Sequence, residues 1–125
     1  MCLHSVSLNT KKTRNGFIGI GYKALINKPF KNTIGKWQRA KRVYGQNEYA
    51  NDYTEYYPGF HIFLNIHDAI EYNPGCRDYI VEVSFKEIIC FGTNAVYGNW
   101  ENSKGGIFKP CVIANWMKIN KIIQQ

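Results

Sequence analysis

The chain has 125 residues, of which 45% are hydrophobic, 15% aromatic and 20% charged, and its formal net charge is +7. This length suits one domain, which we predict to span residues 1–125, and no apolar run approaches the ~20 residues that a membrane-spanning helix needs. The first residues also lack the charged and then apolar pattern of an export signal. We therefore expect a cytoplasmic protein that does not bind membranes.

The four cysteines are widely separated, and no Cys or His residues stand at the spacing of metal ligands. Such a distribution is typical of a reducing compartment and indicates neither a disulfide framework nor a metal site. A free cysteine within an apolar segment usually behaves as a small buried hydrophobe. We predict this role for Cys76, Cys90 and Cys111.

Positive charge is concentrated in the first part of the chain. Residues 1–50 contain ten Lys and Arg but one acidic residue, a net of +9, whereas residues 51–125 contain six basic and eight acidic residues, a net of −2. A surface of one sign concentrates ions of the other sign and speeds their capture. The asymmetry favours a phosphate-bearing partner, either a nucleotide or nucleic acid, although a lysine-rich solvated face would give the same count.

The first predicted elements are two strands. Residues 2–8 alternate between apolar and polar side chains, the period of a half-buried strand. Residues 17–26 are also rich in strand formers but contain Gly19 and Gly21. Glycine within a strand marks either a bulge or a place where a ligand approaches the backbone, and both interpretations stay open.

The segment KWQRAKRVYG, residues 36–45, predicts a short helix with Trp37, Ala40 and Tyr44 on one face. Basic side chains cover the rest of its surface: Lys36, Arg39, Lys41 and Arg42. Basic residues interleaved with aromatic ones suit contacts with phosphates and bases. The tyrosine-rich residues 46–58 that follow are expected to form a loop over the site.

A strand at residues 60–64 and a helix that begins at Asn65 are predicted next. Asn65 can cap the free N–H groups of the helix, and Asp68 complements its positive end. His61 interrupts the apolar strand. Its ring is either a satisfied core histidine or a donor to a ligand.

The strict alternation of DYIVEVSF, residues 78–85, predicts a strand that IICFG continues. Residues 93–106 resemble a long loop with Trp100 at its tip, and residues 107–119 a last strand broken at Pro110. These elements predict a single α+β domain with a mixed or antiparallel sheet and one or two helices.

One segment carries a resemblance to a known family. GFHIFLNIHDAIEY at residues 59–72, with YIVEVSF at 79–85, resembles a strand, helix and strand of the ADP-ribosyltransferase fold in its poly(ADP-ribose) polymerase form. The resemblance implies an ADP-ribosyltransferase-like domain in which the strand face with His61 and Phe63 lines a nucleotide pocket. The matching positions are Gly59, Phe60, His61, Ile62, Ala69, Tyr72 and Val81-Glu82-Val83.

The catalytic triad of that family falls near Tyr22 and Lys23, on His61, and near Pro110 and Cys111. The glutamate of the last position is missing here. The resemblance therefore implies a scaffold without the standard transfer chemistry, and we predict no catalytic residue, cofactor or metal.

The whole chain also resembles small proteins of phage and bacterial genomes. Those proteins begin with MCL, carry GYK early and GFH centrally, and end with V-x-A-x-x-M-x-I. In this chain the last motif is formed by Val112, Ala114, Met117 and Ile119.

The first hypothesis is a nucleotide-binding protein whose ligand is a phosphate-bearing small molecule, NAD-derived or a cyclic nucleotide. In a virus it would act in the host cytoplasm as an anti-defence protein that sequesters an immune signalling nucleotide. A basic module that binds nucleic acid or inhibits a nucleic-acid enzyme, as anti-CRISPR proteins do, is the alternative, and an active ADP-ribosyl or phosphoryl transferase is another. We expect binding rather than catalysis. The predicted ligand-binding residues are Tyr22, Lys23, Trp37, Arg39, Lys41, Arg42, His61, Phe63 and Trp100.

Overall fold

Antiparallel strands make up most of the protein in the computed structural model, which describes residues 5–9, 18–25, 27–41, 48–49, 55–56, 58–72, 79–96 and 107–124. In chain order the elements are β1 (Ser5–Asn9), β2 (Gly19–Leu25), β3 (Trp37–Arg39), β4 (Glu48–Tyr49), β5 (Glu55–Tyr56), β6 (Phe60–Phe63), α1 (Ile66–Glu71), β7 (Tyr79–Val96) and β8 (Ile107–Gln124).

Strands β7 and β8 dominate the architecture. Each is 18 residues long, and they pair with each other in antiparallel fashion along their whole length. The other edge of β7 pairs with β1 and β2, and the other edge of β8 pairs with β6 and β3. Since β2 also pairs with β6 at Tyr22 and Phe63, the strands β7, β2, β6 and β8 close into a ring.

The main core fills this ring. Alternation along the strands directs Val81, Val83 and Phe85 of β7 and Met117 and Ile119 of β8 to the inside, as the period of two requires. The intervening residues of the same strands face outward. The complete set of buried residues in this cluster is Ile62, Val81, Val83, Phe85, Ile88, Val112, Ala114, Met117 and Ile119.

The two glycines of β2 face this core. A Cβ atom at Gly19 would meet the ring of Phe85, and one at Gly21 would meet Cγ2 of Ile62 and lie 2.8 Å from the carbonyl oxygen of Phe63. The space beside both glycines is thus filled by the protein's own core. Their absent side chains allow Phe85 and Ile62 to pack against the β2 backbone.

We expect Gly21→Ala to lower the free energy of unfolding by about 2 kcal/mol, because an extra methyl group in a filled core displaces its neighbours. Neither the backbone oxygen of Phe63 nor the fully buried Ile62 can move away easily. Denaturant unfolding measures the loss. In an Ile62→Ala background, which removes the closest contact, the same substitution should cost less; equal costs in both backgrounds would contradict the packing explanation.

Helix α1 confirms the predicted cap. The Asn65 side chain accepts a hydrogen bond from the backbone N–H of His67 at 2.9 Å, and the helix begins at Ile66. Its buried Ala69 packs with Ala24, Phe63 and Ile80 on the outside of the ring. In the described parts of the chain no helix is long and apolar enough to cross a membrane.

The α+β, ADP-ribosyltransferase-like fold predicted from the sequence is wrong. The described residues form a nearly all-β structure with one helix of six residues, and all the ladders between its strands are antiparallel. The resemblance rested on one strand, helix and strand, which do occur here. They are, however, built into a sheet dominated by the β7–β8 hairpin, which local pattern could not reveal.

Local predictions are also corrected: the loop expected at residues 46–58 contains β4 and β5, and residues 93–96, expected to begin a loop, form the end of β7. Residues 37–39, predicted as helix, form strand β3, because they pair with residues 116–118 of β8. Strand β8 is not broken at Pro110 but runs through it. Pairing of β8 with β6 begins at the next residue, Cys111, so the missing N–H of Pro110 lies just outside that ladder.

Candidate functional site

Two tryptophans and three cationic side chains gather on the outer surface of the sheet. We call this set, formed by Trp37, Arg39, Lys86, Trp116 and Lys118, the tryptophan face. Cross-strand pairing brings its members together, since Trp37 lies opposite Lys118, Arg39 opposite Trp116, and Trp116 opposite Lys86. Arg39 is exposed and the other four are half-buried.

The same alternation that fills the core creates this face. In β8 the inward residues Met117 and Ile119 are buried, so the intervening Trp116 and Lys118 point outward. In β7, Phe85 points inward and Lys86 outward. The tryptophan face is thus the reverse side of the main core, and the core packing holds its backbone in place.

Each of the three cations lies over one or both indole rings. The Lys86 ammonium is 4.3 Å from the centroid of the Trp37 ring and 5.4 Å from that of Trp116. Lys118 lies 5.1 Å from the Trp37 ring, and the Arg39 guanidinium 5.8 Å from the Trp116 ring. Contacts of this kind contribute about 0.5–1 kcal/mol each at exposed sites.

The positive charge of the tryptophan face is not neutralised by the acids of β7. Glu82 accepts a hydrogen bond from the Asn120 amide at 3.3 Å, and Glu87 accepts one from the Asn115 amide at 2.8 Å. Among the described residues, Arg39, Lys86 and Lys118 form no ion pair with an acidic side chain. Exposed Lys41 adds a further positive charge beyond the end of β3.

A second polar group surrounds His61 and is buried. The imidazole is 6% exposed, and its Nε2 atom lies 3.4 Å from the hydroxyl oxygen of Tyr56, which is 2% exposed. The Lys23 ammonium donates to the His61 carbonyl oxygen at 3.0 Å. Phe63, on the same side of β6 as His61, packs under helix α1.

Burial keeps the His61 ring neutral. Loss of solvation, with a smaller effect of the Lys23 charge, lowers the pKa of His61 from 6.5 to about 3, while a hydrogen bond with the Gly59 backbone opposes this change. A backbone oxygen can only accept, so the ring donates to Gly59. The tautomer of the neutral ring sets which of Nε2 and the Tyr56 hydroxyl donates to the other.

The predicted site residues therefore fall into two groups. Trp37 and Arg39 belong to the tryptophan face and Lys41 follows them in the chain, whereas Tyr22, Lys23, His61 and Phe63 lie where β2 meets β6. The first group lies on or just beyond β3 and the second on β2 and β6, and these strands are not paired with each other. Arg42 and Trp100 lie outside the described residues.

Sequence reasoning missed three members of the tryptophan face. Trp116 and Lys118 lie within the strand predicted at residues 107–119, Lys86 follows the strand predicted at 78–85, and none of the three is among the predicted ligand-binding residues. The alternation in NWMKIN, with Trp116 and Lys118 on one side and Met117 and Ile119 on the other, was the available signal. It required the knowledge that β3 lies beside β8.

The two described cysteines confirm the predicted structural role. Cys90 and Cys111 are free and fully buried, and burial raises the pKa of the Cys90 thiol to about 11 and that of the Cys111 thiol to about 12. Neither is a thiolate near neutral pH. The described residues also contain no group of three or more His, Cys, Asp or Glu side chains that could hold a metal ion.

Comparison with protein-family models, with curated proteins and with solved structures gives no match. The function is therefore inferred from the side chains themselves.

Proposed function

We propose that the protein binds single-stranded nucleic acid on the tryptophan face. The observation that carries this proposal is the alternation of Arg39, Lys86 and Lys118 with two indole rings on one outer surface of the sheet. Proteins that bind single strands combine aromatic rings, on which bases stack, with cations that follow the phosphates. Both components are present here, and the cations are free of acidic partners among the described residues.

The energies favour an exchange of partners when a strand binds. Stacking of a base on an aromatic side chain is worth about 1–3 kcal/mol, more than the roughly 0.5–1 kcal/mol of one cation–π contact. Long lysine side chains can leave the indoles and move to phosphates without a change in the backbone. The cations thus cover the rings in the free protein and would contact the backbone of the ligand in the complex.

The shape and charge of the surface also favour a single strand of nucleic acid as the ligand. The cross-strand row Trp37, Lys118, Ser84 and Ile20 runs from β3 to β2, about 14 Å at the usual spacing of strands. Ile20 is 50% exposed and extends the apolar part of the row. A cationic ligand between the two indoles is disfavoured, because three positive side chains already surround them.

A nucleotide bound at the same face is the second candidate. The Lys86 ammonium lies near the rings of both Trp37 and Trp116, and a single base that replaced it there would stack on one of them. This mode suits the NAD-derived or cyclic nucleotide expected from the sequence and its sequestration in an infected cell. A nucleotide offers fewer phosphates than a strand, so its binding should depend less on salt.

We expect the affinity for a fluorescent oligouridylate to fall with salt at a logarithmic slope of about −2, because three cations release the counterions of three phosphates. Lys86→Gln should reduce the slope by about 0.7. Lys109→Gln, on the same strand as Trp116 but paired far from it with Asn94, is the matched control and should leave the slope unchanged.

Anisotropy titrations of the oligonucleotide and calorimetry with NAD, ADP-ribose and cyclic nucleotides separate the two candidates. Binding of an oligonucleotide that depends on salt and on Lys86 supports the strand. Heat of binding with NAD, ADP-ribose or a cyclic nucleotide, without binding of the oligonucleotide, supports the nucleotide as ligand. No binding of any of these ligands, or binding equally affected by Lys86→Gln and Lys109→Gln, would overturn both.

A further inference from the structure

Three polar side chains beside the tryptophan face form a hydrogen-bonded group. None of them is needed for the phosphate contacts assigned to Arg39, Lys86 and Lys118. The Asn120 amide donates to Glu82 at 3.3 Å and to Ser84 at 2.9 Å, and the Ser84 hydroxyl donates to the Asn120 carbonyl oxygen at 3.3 Å. Ser84 lies directly opposite Lys118, which itself lies opposite Trp37. We call Glu82, Ser84 and Asn120 the acceptor group.

The position of Glu82 calls for a partner other than phosphate. A carboxylate beside a path for phosphates repels them, and no cation among the described residues forms an ion pair with it. The Asn120 amide nitrogen donates to both Glu82 and Ser84, and its bond to Glu82 orients one oxygen of the carboxylate. The group therefore presents hydrogen-bond acceptors, above all the second oxygen of Glu82, two residues along β7 from Ser84, which is paired with Lys118.

From this arrangement, and resting on the proposed function, we infer that the acceptor group reads the edge of a base and prefers guanine. Guanine carries two adjacent N–H donors on its Watson–Crick edge, at N1 and N2, which match the two oxygens of a carboxylate. Cytosine and adenine each present an amino group next to a ring nitrogen that accepts, and uracil presents one N–H between two carbonyl groups. Bases in a single strand are free to offer this edge.

The geometry gives each part of the surface a separate task. Trp37 stacks on the base, Lys118 neutralises its phosphate, and Glu82 accepts from its edge. Asn120 and Ser84 are positioning residues, since they hold Glu82 and need not touch the ligand. Loss of Glu82 should therefore remove the preference between bases while the dependence on salt persists, because the phosphate contacts belong to other side chains.

The test compares oligouridylates that carry one central guanine, inosine, adenine or cytosine. Inosine lacks only the amino group at N2, so it should bind about tenfold more weakly than guanine, because the bidentate contact to the base edge is lost. Glu82→Gln should bring the four affinities within about twofold of each other. Glu87→Gln is the matched control, because Glu87 is on the same strand and also accepts from an asparagine amide.

Equal affinities for guanine and inosine in the native protein, or a guanine preference that Glu82→Gln retains, would overturn the inference. In both cases salt-dependent binding that requires Lys86 would leave the proposed function standing. If none of the oligonucleotides binds, the proposed function fails and this inference fails with it. Thermal melting of Glu82→Gln identifies a variant that is merely unfolded, and Asn120→Ala, which frees the carboxylate but keeps its charge, then provides the second variant and should weaken the preference.

Discussion

Replacement of both Trp37 and Trp116 by alanine is expected to weaken binding of single-stranded nucleic acid by roughly 30-fold or more. Each indole contributes about 1–3 kcal/mol when a base stacks on it, so two rings account for about 2–6 kcal/mol. The three cations remain, and they would still hold the phosphates. We therefore expect the affinity to fall while the slope of affinity against salt stays near its native value. Anisotropy titrations at several salt concentrations measure both.

Two controls separate stacking from damage to the fold. Phenylalanine at both positions keeps a flat ring and should retain most of the affinity. Phe108→Ala removes another aromatic side chain of β8, 42% exposed and outside the tryptophan face, and should have no effect on binding. Native affinity in the double alanine variant would contradict the proposal that these rings contact the ligand.

Acidification is expected to destabilise the protein through His61. The folded-state pKa is lowered from 6.5 to about 3, so between these values the unfolded chain binds a proton that the folded chain excludes. The contribution is fully present above pH 6.5 and is lost as the pH falls towards 3. At about 1.4 kcal/mol per pH unit, the loss from this residue is roughly 2 kcal/mol between pH 6.5 and 5.

Denaturant unfolding of the native protein and of His61→Gln at a series of pH values isolates this effect. The variant has no group to titrate at this position, so the difference between the two proteins should shrink with falling pH. Asp68 acts in the opposite direction, because burial raises its pKa, but it is common to both proteins and cancels. Tyr56→Phe, which removes the hydroxyl near Nε2 and leaves the ring buried, should keep the native pH dependence. If the difference in unfolding free energy between the two proteins did not change with pH, the pKa of His61 would not be lowered in the folded state.

The strands that the sequence predicts well are those whose apolar and polar residues alternate without interruption. Residues 81–85 alternate strictly and lie within β7, and Asn65 caps α1 through a local hydrogen bond. Both features depend on neighbours in the chain. In residues 36–45, the spacing of Trp37, Ala40 and Tyr44 matched a helix. Pairing with β8, about eighty positions later in the chain, decided the structure of residues 37–39 instead.

The candidate site was only partly predictable, because its residues are distant in the chain and are brought together by strand pairing. Trp37 and Arg39 attracted attention because aromatic and basic residues are mixed in their segment. Lys86 and Lys118 did not, because the part of the chain that contains them is slightly acidic overall. The sheet joins one cation from the basic first part to two from the later part. Net charge along the chain therefore indicated the kind of partner but not the surface.

The closed ring of strands contains one short pairing, between β2 and β6. Among the described residues, β2 and β6 meet at Tyr22 and Phe63, whereas β7 and β8 remain paired from end to end. Separation at this pairing would open the core without a break in the long hairpin. Six members of the tryptophan face and of the acceptor group lie on β7 and β8, the other two lie on β3, and none lies on β2 or β6. Most of the surface proposed to hold the ligand thus lies on the long hairpin, whose own pairing does not include the contact between β2 and β6.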